Sequence, residues 1–297
     1  MPVTLTPISF RGAGDVRLAG DAIGPADGPP VVFLHGGGQT RHAWGGTAAA
    51  VARAGAYVVS LDHRGHGDSS WPADGDYGLD TFARDVCAVA AQLGRPPAVV
   101  GASLGGLAGM MAEGDLGPVL RALVLVDVAP RIEQSGVQRI VSFMQTGLDG
   151  WATLEEAADA IAAYLPHRRR PRDLGGLSKN LRQGADGRWR WHWDPRFVRR
   201  DRADPAFARD RLEGAARRVT CPTLVVRGRM SDVLSEEGVR EVRALIPHAA
   251  YVDVAGTGHM VAGDDNDAFT SAVIDFLATA GVIPSAGDQM ARSRPAQ

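Results

Sequence analysis

One short segment constrains the fold of this chain more than any other. Residues 98–108 read Ala-Val-Val-Gly-Ala-Ser-Leu-Gly-Gly-Leu-Ala, so an apolar run passes directly into a small-residue helical pattern. The turn between them must be tight, and Gly101 and Gly105 have no Cβ to clash with a neighbouring strand or helix. Gly-x-Ser-x-Gly in this setting is typical of a turn that exposes a serine hydroxyl at a sheet end. Ser103 is the predicted nucleophile, although the five-residue pattern alone also fits an ordinary loop.

A nucleophilic serine needs a general base and a group that orients the base. His259 lies in a glycine-rich loop that follows a strand-like run, and we predict it as the base. Two carboxylates follow predicted strands: Asp232 comes after residues 223–228, and Asp127 comes after residues 122–126. The chain order Ser, Asp, His favours Asp232 as the orienting acid and leaves Asp127 as its competitor.

A glycine run after another apolar strand predicts an oxyanion hole. Residues 30–34 lead into His-Gly-Gly-Gly at 35–38, where backbone N–H groups can approach a developing negative charge closely. The predicted donors are the amides of Gly37, with Gly38 as an alternative, and of Leu104 after the serine. One such donor contributes ~3 kcal/mol to a transition state.

These motifs resemble those of the α/β-hydrolase family, and the resemblance covers nearly the whole chain. The matching segments occur in the family's order and spacing at residues 35–38, 61–69, 101–106, 229–232 and 258–259. The chain looks most like a cap-bearing branch with cofactor-free haloperoxidases (perhydrolases), small-molecule esterases, C–C bond hydrolases and epoxide hydrolases. Epoxide hydrolases and haloalkane dehalogenases carry Asp as the nucleophile, so Ser103 argues against those two chemistries.

The resemblance implies an α/β fold with a mostly parallel eight-stranded sheet flanked by helices and a helical cap inserted before the last strands. Short apolar runs that alternate with helical patterns also predict a mostly parallel sheet. The alternation stops between Pro130 and Val219. We therefore expect a core over residues 1–130 and 219–284, a cap over 131–218 and a disordered polar tail over 285–297.

The predicted cap is basic and rich in tryptophan. Residues 166–218 hold 15 Arg and one Lys against six Asp and one Glu, whereas the whole chain has a net charge of −2. Such a cap can attract anionic substrates, but a solvated surface of ion pairs is the interpretation that we favour. Trp189, Trp191 and Trp193 alternate, so one face of this segment can line a pocket. Together with Gly38, they are the predicted substrate-binding residues.

Several function classes find no support in the sequence. No basic, aromatic-rich motif indicates nucleic acid, and no apolar run approaches the ~20 residues of a membrane span. The N-terminus lacks a signal-peptide pattern, so a cytoplasmic location is expected. Cys87 and Cys221 have no spacing typical of a disulfide framework or a metal site. The sequence leaves open whether the chain forms a homodimer.

We therefore predict a serine hydrolase that cleaves a small carboxylic ester or lactone through Ser103, His259 and Asp232, with no cofactor and no metal. C–C bond hydrolysis of a vinylogous diketone and perhydrolysis use the same triad and remain alternatives. A ligand receptor that retains the triad but turns over slowly is the alternative from another class. Fold alone does not distinguish these chemistries.

Overall fold

A computed structural model describes residues 4–164, 174–199, 205–258 and 267–285. Within them, an eight-stranded sheet forms the centre of the molecule. Its strands are β1 (Thr6–Arg11), β2 (Arg17–Ile23), β3 (Pro30–Leu34), β4 (Tyr57–Leu61), β5 (Ala98–Ala102), β6 (Ala122–Val126), β9 (Thr223–Gly228) and β10 (Ala250–Val254). The predicted α/β-hydrolase architecture is confirmed.

The strand order is β1-β2-β4-β3-β5-β6-β9-β10. The β1–β2 and β2–β4 pairs are antiparallel, and all later neighbours are parallel. Parallel neighbours direct their carboxyl ends to one edge of the sheet, where ligands bind in open α/β folds. The loops after β3, β5, β6, β9 and β10 therefore meet at this edge.

Helices cover both faces because β3, β5 and β6 are apolar on both sides and are completely buried. The core helices are α1 (Gly45–Arg53), α2 (Leu79–Gln92), α3 (Leu104–Asp115), α8 (Glu236–Leu245) and α9 (Asp267–Thr279). On α2, an apolar stripe packs inward through Phe82, Val86 and Val89. On the opposite face, α9 packs through Phe269, Val273 and Leu277.

The insertion between β6 and β9 contains more than helices. It comprises α4 (Gln134–Gln145), α5 (Leu154–Tyr164), an antiparallel hairpin of β7 (Leu181–Gln183) and β8 (Trp189–Trp191), α6 (Pro195–Arg199) and α7 (Pro205–Arg217). Most described residues of the insertion are helical, and a short hairpin is added to the expected helices. Trp189 and Trp191 lie in the hairpin, where a period of two matches a strand, and Trp193 follows β8.

The last helix of the predicted cap packs on the core. A Cβ on Gly114 of α3 would overlap the backbone of Ala215, so α7 and α3 approach at backbone distance. Ala215 and Ala216 are completely buried. Because α7 packs against α3, it belongs with the core helices, and the remainder of the insertion ends before α7.

Side chains at Thr153 and Glu156 cap the start of α5. The Thr153 hydroxyl accepts from the Glu156 amide at 3.2 Å, as in a capping box. Glu156 in turn accepts from the Ala152 amide at 2.8 Å.

Two predictions fall partly or wholly outside the described residues. His259 lies outside them, and so does the predicted tail beyond Ser285. Within the part of the chain that the structure describes, no helix combines the length and the hydrophobicity that a bilayer crossing requires.

Candidate active site

The turn that carries Ser103 is built from backbone packed on backbone. A Cβ on Gly101 would overlap the Gly105–Gly106 peptide, and a Cβ on Gly105 would overlap the carbonyl of Leu34 in β3. A Cβ on Gly106 would lie 2.7 Å from the Gly101 oxygen. The glycines of the motif are therefore required by close approach, and they fix the position of the turn against β3.

Ser103 has a strained backbone, with φ 46° and ψ −112°. A non-glycine residue at positive φ costs of order 1–3 kcal/mol and persists only where its surroundings hold it. Here the Ser103 amide donates to the Val126 carbonyl at 3.1 Å, and α3 begins at the next residue. The Leu104 amide is thus among the first N–H groups of a helix, which have no intrahelical acceptor.

The orientation of the Gly37 amide follows from bonds to the preceding carbonyl. The Gly36 oxygen accepts from the Gln39 amide at 3.1 Å and lies 2.8 Å from Nδ1 of His35. Nε2 of His35 accepts from the His63 amide at 3.0 Å, so the proton of a neutral ring is on Nδ1. Because C=O and N–H of one peptide point in opposite directions, these bonds direct the Gly37 N–H away from the His35 ring.

Burial keeps these rings neutral. His35 is completely buried, and burial together with the neighbouring His63 and His66 holds the pKa of its imidazole well below the usual range. Burial also lowers the pKa of His63 to about 3. A neutral His35 retains its tautomer across the physiological pH range, so the Gly36 carbonyl keeps its donor.

Gly38 is engaged within the protein. Its amide donates to Nε2 of His66 at 3.2 Å, and its φ is 78°. The glycine surface of the loop is covered by three side chains of the insertion. A Cβ would lie 3.3 Å from the Phe197 ring at Gly37, and 2.9 Å from Met144 and 3.4 Å from Trp193 at Gly38. The Gly38 amide is therefore the less available of the two predicted donors.

Asp232 lies between the core and the insertion. It follows β9, its side chain is 40% exposed, and it forms an ion pair with Arg139 of α4. A Cβ on Gly136 of α4 would overlap the Asp232 carbonyl, so the helix packs directly on this loop. The carboxylate thus already has a cationic partner from the insertion.

Asp127 is completely buried at the end of β6 and also has positive φ, 52°. One oxygen accepts from the Gly228 amide at 3.0 Å, and the other accepts from the Ser231 hydroxyl at 2.5 Å. The Ser231 oxygen also accepts from the Val233 and Leu234 amides, each at 3.1 Å. Asp127 therefore ties the ends of β6 and β9 together and fixes the loop that carries Asp232.

A cavity of about 170 Å³ opens within the insertion. Trp191, Trp193 and the half-exposed Trp71 form its apolar lining, with Arg182 and Arg190 beside them. The Trp191 and Trp193 rings stack at 4.6 Å. Trp189, the third predicted residue, instead lies in β8, where its backbone pairs with Trp151. Trp193 also lies next to Gly38. It therefore lies between this cavity and residues 35–38, which we call the glycine loop.

The segment after β8 is bonded to the core loop between β4 and α2, and we call this contact the cap anchor, formed by His192, Asp194 and Arg196. Nδ1 of His192 accepts from the Gly67 amide at 2.7 Å. The Asp194 amide donates to the Gly65 carbonyl at 2.8 Å, and its carboxylate accepts from the Tyr77 hydroxyl at 2.7 Å. Arg196 donates to the Asp194 carboxylate at 2.9 Å and to the carbonyls of residues 72 and 73.

The sequence motif at residues 61–69 gives this region its rigidity. The completely buried Asp62 accepts from the Arg41 amide at 2.8 Å and the Asp68 amide at 2.9 Å, and it pairs with the Arg41 guanidinium. Arg64 pairs with the buried Asp85 at 2.6 Å. Asp62, Arg64 and Asp68 therefore hold this loop in place. Among the described residues, no group of three or more His, Cys, Asp or Glu side chains could hold a metal ion.

The structure also identifies residues to which the sequence assigns no definite role. His66 bonds to Gly38 of the glycine loop, and His192 bonds to Gly67, the residue after His66. Asp194 is the centre of the cap anchor. For Asp194, the available signal is an acid followed by Pro within an aromatic segment, which is weak evidence for burial. His66 lies in the motif that carried the family resemblance, but its contact with Gly38 depends on the fold.

The sequence of this chain is similar to that of known hydrolases. Residues 29–265 match the family model described as alpha/beta hydrolase fold. The chain is 29% identical over 259 residues to the esterase Rv0045c of Mycobacterium tuberculosis, covering 84% of this chain and 83% of that protein. It is 32% identical over 249 residues to a 3-hydroxybutyrate-oligomer hydrolase of Cupriavidus necator, covering 79% and 84%.

Solved structures show the same architecture. A crystal structure of the M. tuberculosis esterase matches with a TM-score of 0.71 at 27% identity, covering 93% of this chain and 92% of that chain. A crystal structure of E-2-(acetamidomethylene)succinate hydrolase matches with a TM-score of 0.79 over 92% of this chain and 99% of that chain. At 22% identity, the second likeness concerns the fold alone.

Proposed function

We propose a reaction for this chain, which belongs to the α/β-hydrolase fold family and is a hydrolase. In this proposal, the protein cleaves a small carboxylic ester or lactone through an acyl-enzyme on Ser103. The observation that carries the proposal is the Ser103 turn. Its strained backbone stands at the start of α3, and a Cβ on the adjacent Gly36 would lie 3.4 Å from Cβ of Ser103. A nucleophile and an oxyanion loop are thus neighbours.

The proposed reaction has two halves. Ser103 attacks the acyl carbonyl while His259 takes the hydroxyl proton, and His259 then returns that proton to the leaving alcohol. Water attacks the acyl-enzyme by the same route in reverse, releasing the acid and restoring Ser103. In both halves, the amides of Gly37 and Leu104 stabilise the negative charge on the carbonyl oxygen, which contributes ~3 kcal/mol per donor.

The acid that orients His259 has two candidates with different support. Chain order supports Asp232, as the sequence predicts. Burial supports Asp127, because an orienting carboxylate acts through a hydrogen bond that water would weaken, and Asp127 is enclosed at a neighbouring strand end. Asp232 is instead partly solvated and paired with Arg139. We propose Asp232 as the orienting acid, with Asp127 as the alternative.

The experiment that tests the proposed function is a panel of esters, lactones and vinylogous diketones, run on the wild type, Ser103→Ala and Ser9→Ala. Loss of a triad nucleophile can lower kcat by about 10⁶, whereas the exposed Ser9 on β1 is a matched control. A serine-directed phosphonate should label Ser103 in the wild type. Full activity in Ser103→Ala, or labelling at another serine, would overturn the acyl-enzyme.

The same panel separates the other chemistries. Turnover of the diketones alone would indicate a C–C bond hydrolase, and peroxide-dependent oxidation would indicate a perhydrolase. A burst without sustained turnover would indicate a ligand receptor. Each outcome replaces the ester hydrolase with a specific alternative.

A further inference from the structure

The Gly38 N–H is bonded to a buried imidazole of the core, and a second buried imidazole, from the insertion, packs against the first. His66 belongs to the core loop after β4, and its Nε2 accepts the Gly38 N–H at 3.2 Å. Nδ1 of His66 lies 3.0 Å from the Arg64 carbonyl, which can only accept. A neutral His66 therefore carries its proton on Nδ1 and leaves Nε2 as the acceptor for Gly38.

His192 has the opposite tautomer. Its Nδ1 accepts from the Gly67 amide at 2.7 Å, so a neutral ring carries its proton on Nε2. This Nε2 is buried and makes no hydrogen bond to any described residue. Burial holds the pKa of His192 well below its usual range, with His66 and Arg182 acting in the same direction and the Gly38 carbonyl acting against them.

The two rings and the loop form one packed unit. The His66 and His192 ring centroids are 5.9 Å apart, and His192 bonds to the residue that follows His66 in the chain. Phe197, from the same segment as His192, lies 4.7 Å from the His66 ring and covers Gly37. A displacement of this segment therefore changes the support of both His66 and the glycine loop.

We propose that His192 is a positioning residue through which the insertion sets the oxyanion loop. It supports Gly67 and therefore the neighbouring His66, which holds the Gly38 N–H. Gly38 is joined to Gly37, so the insertion supports from the Gly38 side the same Gly37 donor that the bonds to the Gly36 carbonyl orient from the other side. The assignment of this role to catalysis rests on the proposed function, but the contacts themselves do not.

Kinetics of His192 variants test the catalytic part. A displacement of about 1 Å in a catalytic group can cost 10²-fold in rate, so His192→Leu should lower kcat about 10- to 100-fold with KM changed less than about twofold. His192→Asn offers an oxygen near the position of Nδ1 and should recover part of that loss. His248→Leu is the matched control, because His248 bonds to the Cys221 carbonyl at 3.0 Å and plays no part in the glycine loop. A rise in KM alone would make His192 a substrate contact and overturn the proposal.

Spectroscopy tests the contacts without a substrate and with the wild-type chain. Long-range ¹H–¹⁵N spectra of the imidazoles should show the proton on Nδ1 of His66 and on Nε2 of His192. His192→Leu should shift the Gly38 amide and His66 Nε2 resonances, and His248→Leu should leave them in place. The opposite tautomer at either ring, or unshifted Gly38 and His66 signals, would overturn the inference. If the expected spectra occur but no ester or lactone is cleaved, the proposed function fails and the positioning contact stands.

Discussion

The edge of the core that carries Ser103 and the insertion above it are held together by different kinds of contact. At the core edge, backbone meets backbone at Gly101, Gly105 and Leu34, with no space for a side chain. Apart from the close backbone contacts at Gly136 and Ala215, the insertion is held by stacked tryptophans and arginine–carboxylate pairs, many of which are partly exposed. Backbone packing fixes atoms more tightly than exposed ion pairs, which contribute ~0–1 kcal/mol each. We therefore expect the backbone at the core edge to keep its position, and the side chains of the insertion to adjust more readily.

The largest test of this division concerns the orienting acid, because Asp127 belongs to the core edge whereas Asp232 pairs with the insertion. Loss of the orienting carboxylate can lower kcat by ~10⁴ through the wrong imidazole tautomer. With Asp232 as the proposed acid, Asp232→Asn should lose ~10⁴ and Asp127→Asn much less, measured as kcat on folded proteins. Arg139→Gln is the control that removes the ion pair alone. A larger loss in Asp127→Asn would place the whole triad on the core edge.

A second test compares glycines in the two regions. Gly105→Ala introduces a Cβ that overlaps the Leu34 carbonyl, and overpacking against backbone should lower the free energy of unfolding by about 3 kcal/mol or more. Gly176→Ala in the insertion meets nothing within 4 Å and should be tolerated. Urea denaturation of both variants measures the difference. Equal stability of the two variants would contradict the proposed rigidity of the turn.

The cap anchor is the exception within the insertion, because Asp194 is buried and bonded to Tyr77 and Arg196. Asp194→Asn should lower the unfolding free energy by about 2 kcal/mol, since hydrogen bonds to a charged group contribute about 1.5–3 kcal/mol. Asp186→Asn on the hairpin, where the carboxylate is exposed, should change little. Thermal unfolding of the two variants makes the comparison, and a smaller effect at Asp194 than at Asp186 would remove the exception.

The same contact has a pH dependence with a defined sign. Burial alone would raise the pKa of Asp194, but hydrogen bonds from Arg196 and Tyr77 outweigh it, so the pKa is lowered on folding. A carboxylate with a lowered folded-state pKa stabilises the fold fully above its unfolded value of about 4. That contribution is lost as the pH falls through the folded value. The stability difference between wild type and Asp194→Asn should therefore shrink below about pH 4.

The smallest expected effect is on substrate preference. Trp191 lines the cavity and donates to the Thr146 carbonyl at 2.7 Å, so Trp191→Ala enlarges the cavity and removes that bond. Discrimination among acyl chain lengths should change by ~1–3 kcal/mol per methylene, while Ser103 retains its reactivity to a small phosphonate. Trp189→Ala is the control. An unchanged preference profile in Trp191→Ala would make the aromatic segment a scaffold.

The sequence predicted the core far better than the insertion, for a physical reason. Residues 98–108 define a strand, a turn and a helix through local composition alone, and the strands predicted at residues 30–34, 122–126 and 223–228 occur at those positions. The packing of α7 on α3 depends on Gly114 and Ala215, which are 101 positions apart in the chain. The His66–Gly38 and His192–Gly67 contacts likewise join distant segments. Such contacts leave no period in the sequence, so they were not predictable from it.

The cap anchor determines which piece of this chain could be exchanged for that of a relative. An insertion cut at its two chain ends would lose the partners of His192, Asp194 and Arg196, which lie in the core loop at residues 65–77. A transplanted insertion would therefore lack the core loop to which it bonds, and the glycine loop would lose the support of that contact. The unit of recombination in this enzyme is the insertion together with that loop, although the two are separated by more than fifty residues of core sequence.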